Sequence, residues 1–560
     1  MEIRILRGHE VPQAIHLIKD VFFKDIANTY SNQQGVDAFL ETFNKDSILS
    51  MMKEQHLLMI GAFDINLVGV IGIRDLSHIQ CLFIDKVYQH QGIGTLLLEQ
   101  AKKLMYGPVS VNADPQVVAF YQKNGFQAIE DLQVVHGIPF VSMIYQSYHE
   151  NHFETYDQVH EFIASQKDRV YALDNFKRFM NDMGNPQKLL KSIHIGGTNG
   201  KGSTTNYLRN VLQNAGYNVA TFTSPVLVTR LEVMCINNEH IQDYEIIEYA
   251  NRYMSLWLKY ELSMFEIEVF IAIMYFIKNR VDFAIFEVGL GGELDATNII
   301  SPIVSVNTNI GLDHVAYLGD TYEKIARTKG GIIKDYTPFI TGEKKLECLD
   351  VFQEICCQHQ SPLIQVQDIN NVEDYEDRVS FDYRNYHIVL NTSARYQSEN
   401  SALAIEILLY LKEHGYIRLS DEQLKEGLLS ASWAGRFEIM SHHPLIIIDG
   451  AHNKEGMEAF YQSAKKYQNI KVIFSALKDK DTHAMLELLL QLTDDVTICE
   501  FDFYRAQKAE ILAESFPVKI EKNWKKVVDE AYLHQGVVFI TGSLYFISQV
   551  RAYILKEHHE

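Results

Sequence analysis

The chain has 560 residues, of which 47% are apolar, and a formal net charge of −21. That length predicts three or more domains with cores of their own. The acidic balance excludes non-specific nucleic-acid binding, yet leaves room for a nucleotide held by backbone N–H groups. No window of about 18 uncharged apolar residues predicts a membrane span. The charged opening MEIRILRGHE lacks the apolar run of a signal peptide, and six scattered cysteines without metal spacing fit thiols in a reducing cytoplasm.

In chain order, IRIL reads as a strand and EVPQAIHLIKDVFFKDI as a helix by its apolar spacing. A further helix is expected before HLLMIGAFDINLVGVIGIRDLSHIQCLFID, which reads as three strands joined at DIN and DLSH. A helix from Gly92, the strand VSVNAD, a helix from Pro115 and the strands FQAI and PFVSMIY follow. Periodicity stops at QSYHENHFETYD, so a short linker is expected at about 146–152. Beyond it the strands SIHIGG, NVATFTS, FAIFEVGL and IVSVNTNI alternate with helices, the pattern of a parallel sheet covered on both faces. A smaller alternating run begins at HHPLIIIDGAHN and continues through KVIFSAL, DVTICEF, PVKI and GVVFITGS, with its boundary near Phe437. The expected fold class is α/β: an α+β domain over 1–147, a parallel-sheet domain over 153–436 and a smaller Rossmann-like α/β domain over 437–560.

Two glycine-rich turns carry chemistry. The first is VYQHQGIGTLLLEQA, in which Gln89, Gly92 and Gly94 lie between a strand and a helix. Glycines there let a pyrophosphate approach the free N–H groups of the helix start. With NADPQVVAFYQKNGF downstream, the stretch resembles the GNAT acetyltransferases. The resemblance implies that acetyl-CoA binds at Gln89, Gly92 and Gly94, that Asn112 positions it, and that Tyr121 protonates the leaving thiolate. A core aromatic is the plainer reading of Tyr121. The acceptor amine is not indicated, and an acetyl-CoA sensor and a structural appendage that adjusts the rest of the chain are the other readings of this domain.

The second turn is HIGGTNGKGSTTNYLRNVL, from His194. It departs from the regular P-loop pattern, because Gly202 rather than Ser or Thr follows Lys201 and Ile195 stands where the first Gly belongs. FTSPVLVTRLE, FEVGLGGELDATNI, NIGLDHVAYLGDTYEKIARTKGGIIK, YQSENSALAIEIL, WAGRFE, IIIDGAHN and FITGSLYFISQVR follow in order. Together these resemble the Mur-ligase superfamily, and within it the folylpolyglutamate and dihydrofolate synthases.

That resemblance implies an ATP-dependent ligase that joins L-glutamate to dihydropteroate or to tetrahydrofolate polyglutamates. ATP would be held by Gly197, Thr198, Asn199, Gly200, Lys201, Gly202 and Ser203 at the phosphates, and by Asn400, Arg436, Asp449 and His452 at the other end. Asp449 would accept hydrogen bonds from the ribose. Two Mg²⁺ ions would lie at Ser224, Glu287 and His314, with Lys329 carbamylated by CO₂ to support them. The plainer readings are a surface or core His314 and a solvated or phosphate-facing Lys329. Ser263, Leu294, Asp295 and Ala296 would line the pterin site. Substrate preference is less fixed, because Glu293 stands where bacterial members often have Arg, Val226 where they often have His, and Leu231-Glu232-Val233 where Asn-Glu-Arg is usual. A cytoplasmic monomer without nucleic-acid or membrane partners is expected. A Mur-type ligase for a cell-wall precursor and a non-catalytic ATP- and folate-binding protein are the alternatives.

Overall fold

The computed structural model describes residues 1–27, 30, 32–105, 108–146, 153–166, 173–227 and 229–558; of the expected linker, 147–152 lie outside the described residues. The chain forms two compact units: residues 1–189 with 247–264, and residues 190–246 with 265–560.

The first unit is built on a sheet in the order Glu2–Ile5, Leu57–Asp64, Asn66–Arg74, His78–Ile84, Val109–Ala113, Ile138–Tyr145 and Gln127–Ala128, with Gln133–Val135 also on Ile138–Tyr145. His78–Ile84 and Val109–Ala113 run parallel, pair only at His78↔Ser110 and Ile79↔Val111, and then part. The helix Val11–Val21 buries Val11, Ala14, Ile15, Leu17, Ile18 and Val21, the spacing of one helical face. It runs into a π-helix at Phe22–Ile26. Gln33–Thr42 and Lys45–Lys53 follow, started by the side chains of Asn32 and Asn44. Two helices therefore stand where one was expected; each is short and marked more by its cap than by apolar periodicity. The helix Ile93–Leu104 opens at Gly92, whose φ of 82° suits glycine. Tyr156–Ser165, begun by a Thr155–Gln158 capping box, and Leu173–Asp182 also belong to this unit.

The second unit holds two α/β sheets. The larger has the order Glu239–His240, Met234–Ile236, Val219–Phe222, Phe283–Glu287, Ser192–Gly196, Val304–Asn307, Phe339–Thr341, Leu363–Gln365. Its strands from Val219–Phe222 to Leu363–Gln365 are all parallel. Ser192–Gly196 and Phe283–Glu287 bury every residue, which is why they read as unbroken apolar runs. The expected parallel sheet needs one correction: Met234–Ile236 and Glu239–His240 form an antiparallel edge, too short to show alternation in sequence.

Beside this sheet lies an antiparallel meander, Asn370–Asp374, Val379–Tyr383 and Tyr386–Leu390, whose polar composition hid it from pattern reading. It is fastened to the helix Gln397–Glu413 by Glu406, which is buried and takes hydrogen bonds from Tyr383 Oη and from Arg384 Nε at 3.0 Å. The smaller sheet runs Glu438–His442, Leu445–Ile448, Val537–Thr541, Ile470–Phe474, Val496–Glu500, Lys519–Asn523; all but the antiparallel Glu438–His442 were expected. Among the described residues no helix is long and apolar enough to cross a membrane.

Replacing Glu406 with Ala leaves a buried tyrosine hydroxyl and the Arg384 guanidinium unpaired. A loss of about 3 kcal/mol in unfolding free energy is expected in denaturant titration, against less than about 1 kcal/mol for Glu354→Ala on an exposed ion pair.

Candidate active site

The strand Ser192–Gly196 ends at Gly197, and the helix Lys201–Asn214 starts one short turn later. Gly197 has φ 138° and Gly200 φ 85°. A Cβ on Gly197 would overlap Thr308 Oγ1, and one on Gly200 would overlap Asn400 Oδ1, so the turn closes only with glycine. The end of the neighbouring strand Val304–Asn307 holds it in place. Thr198 N–H donates to Asn309 O at 2.9 Å and Asn199 N–H to Asn309 Oδ1 at 3.0 Å. In return Asn309 Nδ2 and Thr308 Oγ1 donate to Asn199 O at 3.1 and 2.6 Å. Two amides of the expected phosphate loop are thus occupied within the protein. The cradle narrows to Gly200, Lys201, Gly202 and Ser203, whose N–H groups at a helix start have no intrahelical acceptor.

The charged groups gather around this turn. Lys201 Nζ donates to Gly197 O and Thr198 O at 3.3 and 3.2 Å and lies 3.8 Å from Glu287 Oε1. Glu287 ends its strand and is 5% exposed; its carboxylate accepts the Ser224 N–H at 3.3 Å. Burial raises its pKa and Lys201 opposes the rise. Lys329, 6% exposed, donates to Gly197 O at 2.9 Å. Burial, reinforced by Lys201, brings it down to about 7. His314 is in the left-handed region, φ 52°, at the start of Val315–Leu318, and its ring lies 3.9 Å from Asp313. Burial lowers its pKa. Among the described residues no three His, Cys, Asp or Glu side chains form a ready metal cage.

The smaller sheet contributes from across this turn. Asn199 and Asn453 exchange side-chain amide hydrogen bonds at 3.1 Å each way. Asn453 also donates to Asp313 Oδ2 at 3.1 Å, and Glu455 Oε1 accepts the Leu312 N–H at 2.8 Å. Lys480, its side chain 5% exposed, donates to Asp313 Oδ1 at 2.7 Å. Burial pushes the Asp313 pKa up, but Lys480 outweighs it and holds the carboxyl far below its usual range. His452 Nδ1 faces Gly450 O at 2.9 Å and its Nε2 lies 3.8 Å from Asp313; burial, with Lys480, lowers it to about 4. Asn400 packs on Gly200 and donates to Gln397, which reaches Ser203 Oγ at 3.3 Å. Arg436 donates to Gly435 O at 3.3 Å and packs on Gly450.

Asp449 is already bonded within the fold. It is buried, and its carboxylate already takes Tyr396 Oη at 2.7 Å, Phe437 N–H at 2.9 Å and Ala451 N–H at 2.8 Å. Those bonds tie the 435–451 corner together. The residues expected on the pterin side are also bonded or packed within the fold. Asp295 is buried and accepts Leu290 N–H at 2.8 Å, Thr297 N–H at 2.9 Å and the Thr297 hydroxyl; that hydroxyl meets His194 Nε2 at 2.9 Å. Ala296 is fully buried, while Leu294 is exposed. Asp295 and Ala296 therefore shape the loop from within, and Leu294 alone of the three faces outward. Ser263, also buried, belongs to the first compact unit.

In the first unit Gln89 Nε2 donates to Ile84 O at 3.1 Å, closing the turn that leads to Gly92. Around Gly92 there is open space where a Cβ would stand, and Gly94 rests against the Phe120 ring. Asn112 is exposed and accepts from Ser142 Oγ at 3.3 Å. Tyr121 is 4% exposed and packed between Phe120 and Phe126. Burial, with Cys81 nearby, raises its pKa, so the phenol keeps its proton.

Sequence reading missed Thr308, Asn309, Asp313, Asn453 and Lys480. Asn309, Asp313 and Asn453 lie inside quoted motifs, but no local pattern marked Lys480.

Three family models match parts of the chain: Acetyltransferase (GNAT) domain at residues 26–147, Mur ligase middle domain at 195–408, and Mur ligase, glutamate ligase domain at 435–544. The dihydrofolate synthase/folylpolyglutamate synthase of Bacillus subtilis is 36% identical over 405 residues, 68% of this chain and 94% of that protein. The chain belongs to the dihydrofolate synthase/folylpolyglutamate synthase family of Mur ligases. The folylpolyglutamate synthase of Thermotoga maritima has a solved structure with a TM-score of 0.62 at 29% identity, covering 72% of this chain and 97% of that one. An Escherichia coli relative solved with ADP, without folate substrate, has a TM-score of 0.64 at 26% identity, covering 71% and 97%.

Because Asn400 seals the back of the ligase turn, Gly200→Ala is expected to weaken ATP binding on the order of 10²-fold. Calorimetric titration with ATP checks this, with circular dichroism unchanged; binding within about twofold of the parent contradicts the cradle as described.

Proposed function

We propose that the chain is an ATP-dependent ligase that adds L-glutamate to dihydropteroate and further glutamates to reduced folates, fused to an acetyl-CoA-dependent N-acetyltransferase. The observation that carries the ligase reading is the gathering of Lys201, Glu287 and Lys329 at the open helix start Gly200–Ser203. The relatives' names and the ADP complex of the Escherichia coli protein support it. A cell-wall precursor ligase has no such support, and a dead binding module would be expected to have lost one of those side chains.

A carboxylate is a poor electrophile, so ATP must activate it. A carboxylate oxygen of the pteroate or folate attacks the γ-phosphorus, the bond to the ADP oxygen breaks, and an acyl phosphate forms. The neutral α-amine of glutamate then attacks the acyl carbon, loses a proton, and phosphate leaves with the carboxylate oxygen. The N–H groups of Gly200–Ser203 and the Lys201 ammonium offset the charge that builds on the phosphates. Asn400, Arg436 and His452 grip the rest of the nucleotide, with Asp449 positioning that corner.

Glu287 suits a hard cation: it is a buried carboxylate, with the Lys201 ammonium 3.8 Å away. Glu287, Ser224 and His314 would hold Mg²⁺, which when bound neutralises phosphate charge. Lys329 fits carbamylation because burial leaves a large share of its amine neutral near pH 7. That amine adds to CO₂ and loses a proton, turning a cation into an anion beside the metal ligands. In the first unit, acetyl-CoA would set its pyrophosphate on Gly92 and the start of Ile93–Leu104. The thioester would then lie where His78–Ile84 and Val109–Ala113 part, with Tyr121 protonating the departing thiolate. Module boundaries at 147, 153 and 437, a cytoplasmic location and a monomeric state belong to the same reading.

ADP release with ATP, Mg²⁺, L-glutamate and either dihydropteroate or tetrahydrofolate tests the ligase. Turnover with both is expected, falling at least on the order of 10²-fold in Lys201→Ala; no release with either acceptor sinks the reading. Lys329→Ala should lose activity and regain part of it with added short-chain carboxylates. Failure of every carboxylate, with ATP binding intact, argues against the carbamate.

A further inference from the structure

One face of the larger sheet is polar although it is wholly buried. Along Ser192–Gly196 and Val304–Asn307 the strand alternation puts Ser192, His194, Ser305 and Asn307 on one face. Ile193, Ile195, Val304 and Val306 take the other, where they share a core with Tyr207, Leu208 and Val211 of Lys201–Asn214. The polar face is covered by the turn that follows the helix Tyr322–Gly330. Ser305 Oγ donates to Ile332 O at 2.9 Å, and a Cβ on Gly196 would come within 3.0 Å of Ile332 Cδ1.

Asn307 stands at the end of this face nearest the ligase turn. Its register partners are Gly196 on one side and Thr341 on the other. It is wholly buried, and among the described residues neither its Oδ1 nor its Nδ2 has a hydrogen-bond partner. Thr341, at the same level, is occupied: its Oγ1 accepts the Glu343 N–H at 3.1 Å. A buried amide with every bond unmade is costly, and a group that it receives would account for it. The register brings Lys329 to this corner. It lies on the helix Tyr322–Gly330, three residues before Ile332, and its Nζ donates to Gly197 O at 2.9 Å. Gly197 directly follows the register partner of Asn307.

We propose that Asn307 is a positioning residue for a carbamate on Lys329, its Nδ2 donating to a carbamate oxygen. The proposal rests on the carbamate reading of Lys329. The neutral amine nitrogen bonds the carbon of CO₂, a carbon–oxygen π pair moves onto oxygen, and the nitrogen gives one proton to solvent. The nitrogen keeps one hydrogen, so its bond to Gly197 O survives. The new oxygens need donors. An ammonium offers nothing for an amide N–H to bond, whereas a carbamate does. The idle Asn307 amide is therefore matched to the modified lysine and not to the free one.

The test uses the full chain, freed of CO₂ and then supplied with heavy-carbon bicarbonate, with the carbamate carbon read by NMR. A carbamate signal that Lys329→Ala lacks is expected in the parent. In Asn307→Leu and Asn307→Ala the bicarbonate needed for half of that signal should rise about tenfold or more. Ligase kcat in both variants should fall at ambient CO₂ and recover with added bicarbonate. Alanine is smaller than asparagine, so it keeps the test open where leucine does not fit. No Lys329-dependent signal in the parent overturns the carbamate reading and this proposal with it. A signal that saturates at the same bicarbonate in parent and variants overturns the role of Asn307 and leaves the carbamate standing. A fall in kcat that bicarbonate does not repair also overturns it, because a packing defect is not relieved by CO₂.

Discussion

The peptide of Asn199 is gripped on both sides, by the Asn309 amide and the Thr308 hydroxyl, and much of the ligase site follows from that grip. It fixes where the helix Lys201–Asn214 begins, and so where its unsatisfied N–H groups point. It also removes two amides from the phosphate cradle and leaves a compact nest at the helix start. The grip is possible because Ser192–Gly196 and Val304–Asn307 are parallel neighbours whose C-terminal ends meet at one edge of the sheet. In open α/β sheets that edge is where ligands bind.

Charge then does what shape alone cannot. Lys201 and Lys329 crowd the carbonyl of Gly197, and their mutual repulsion adds to the cost of burying Lys329. Glu287 is a buried carboxylate with Lys201 at 3.8 Å and Arg436 opposing it from further off. Such a cluster gains most from the opposite charges that nucleotide and metal bring. On the far side, the ion pair of Asp313 with Lys480 joins the smaller sheet to the loop that carries His314.

Much of this was legible in the sequence. Strands buried on both faces announce themselves as apolar runs, and the glycines of the two turns mark where backbone must bend and a helix must begin. The motifs around Glu287, His314 and Asp449 were visible too, but their roles were not all readable. Asp295 and Asp449 look like free ligands in a string of letters; the folded chain shows their oxygens taken by neighbouring N–H and hydroxyl groups. Lys480 carries no local signal, and Asn309 lies in a motif that does not reveal its part, because their importance lies in pairing with Asp313 and Asn199 far along the chain. The short edge hairpin and the polar meander escaped for a related reason: strands stabilised by partners rather than by their own periodicity leave little trace.

The account stands or falls on carboxyl activation by phosphoryl transfer at the Gly200–Ser203 cradle. The most direct measurement follows a heavy-oxygen label placed in the reacting carboxylate of dihydropteroate through one turnover with ATP and L-glutamate. The account predicts one labelled oxygen in the released phosphate, because the carboxylate oxygen leaves with phosphorus. Phosphate free of label, with amide product formed, would contradict it.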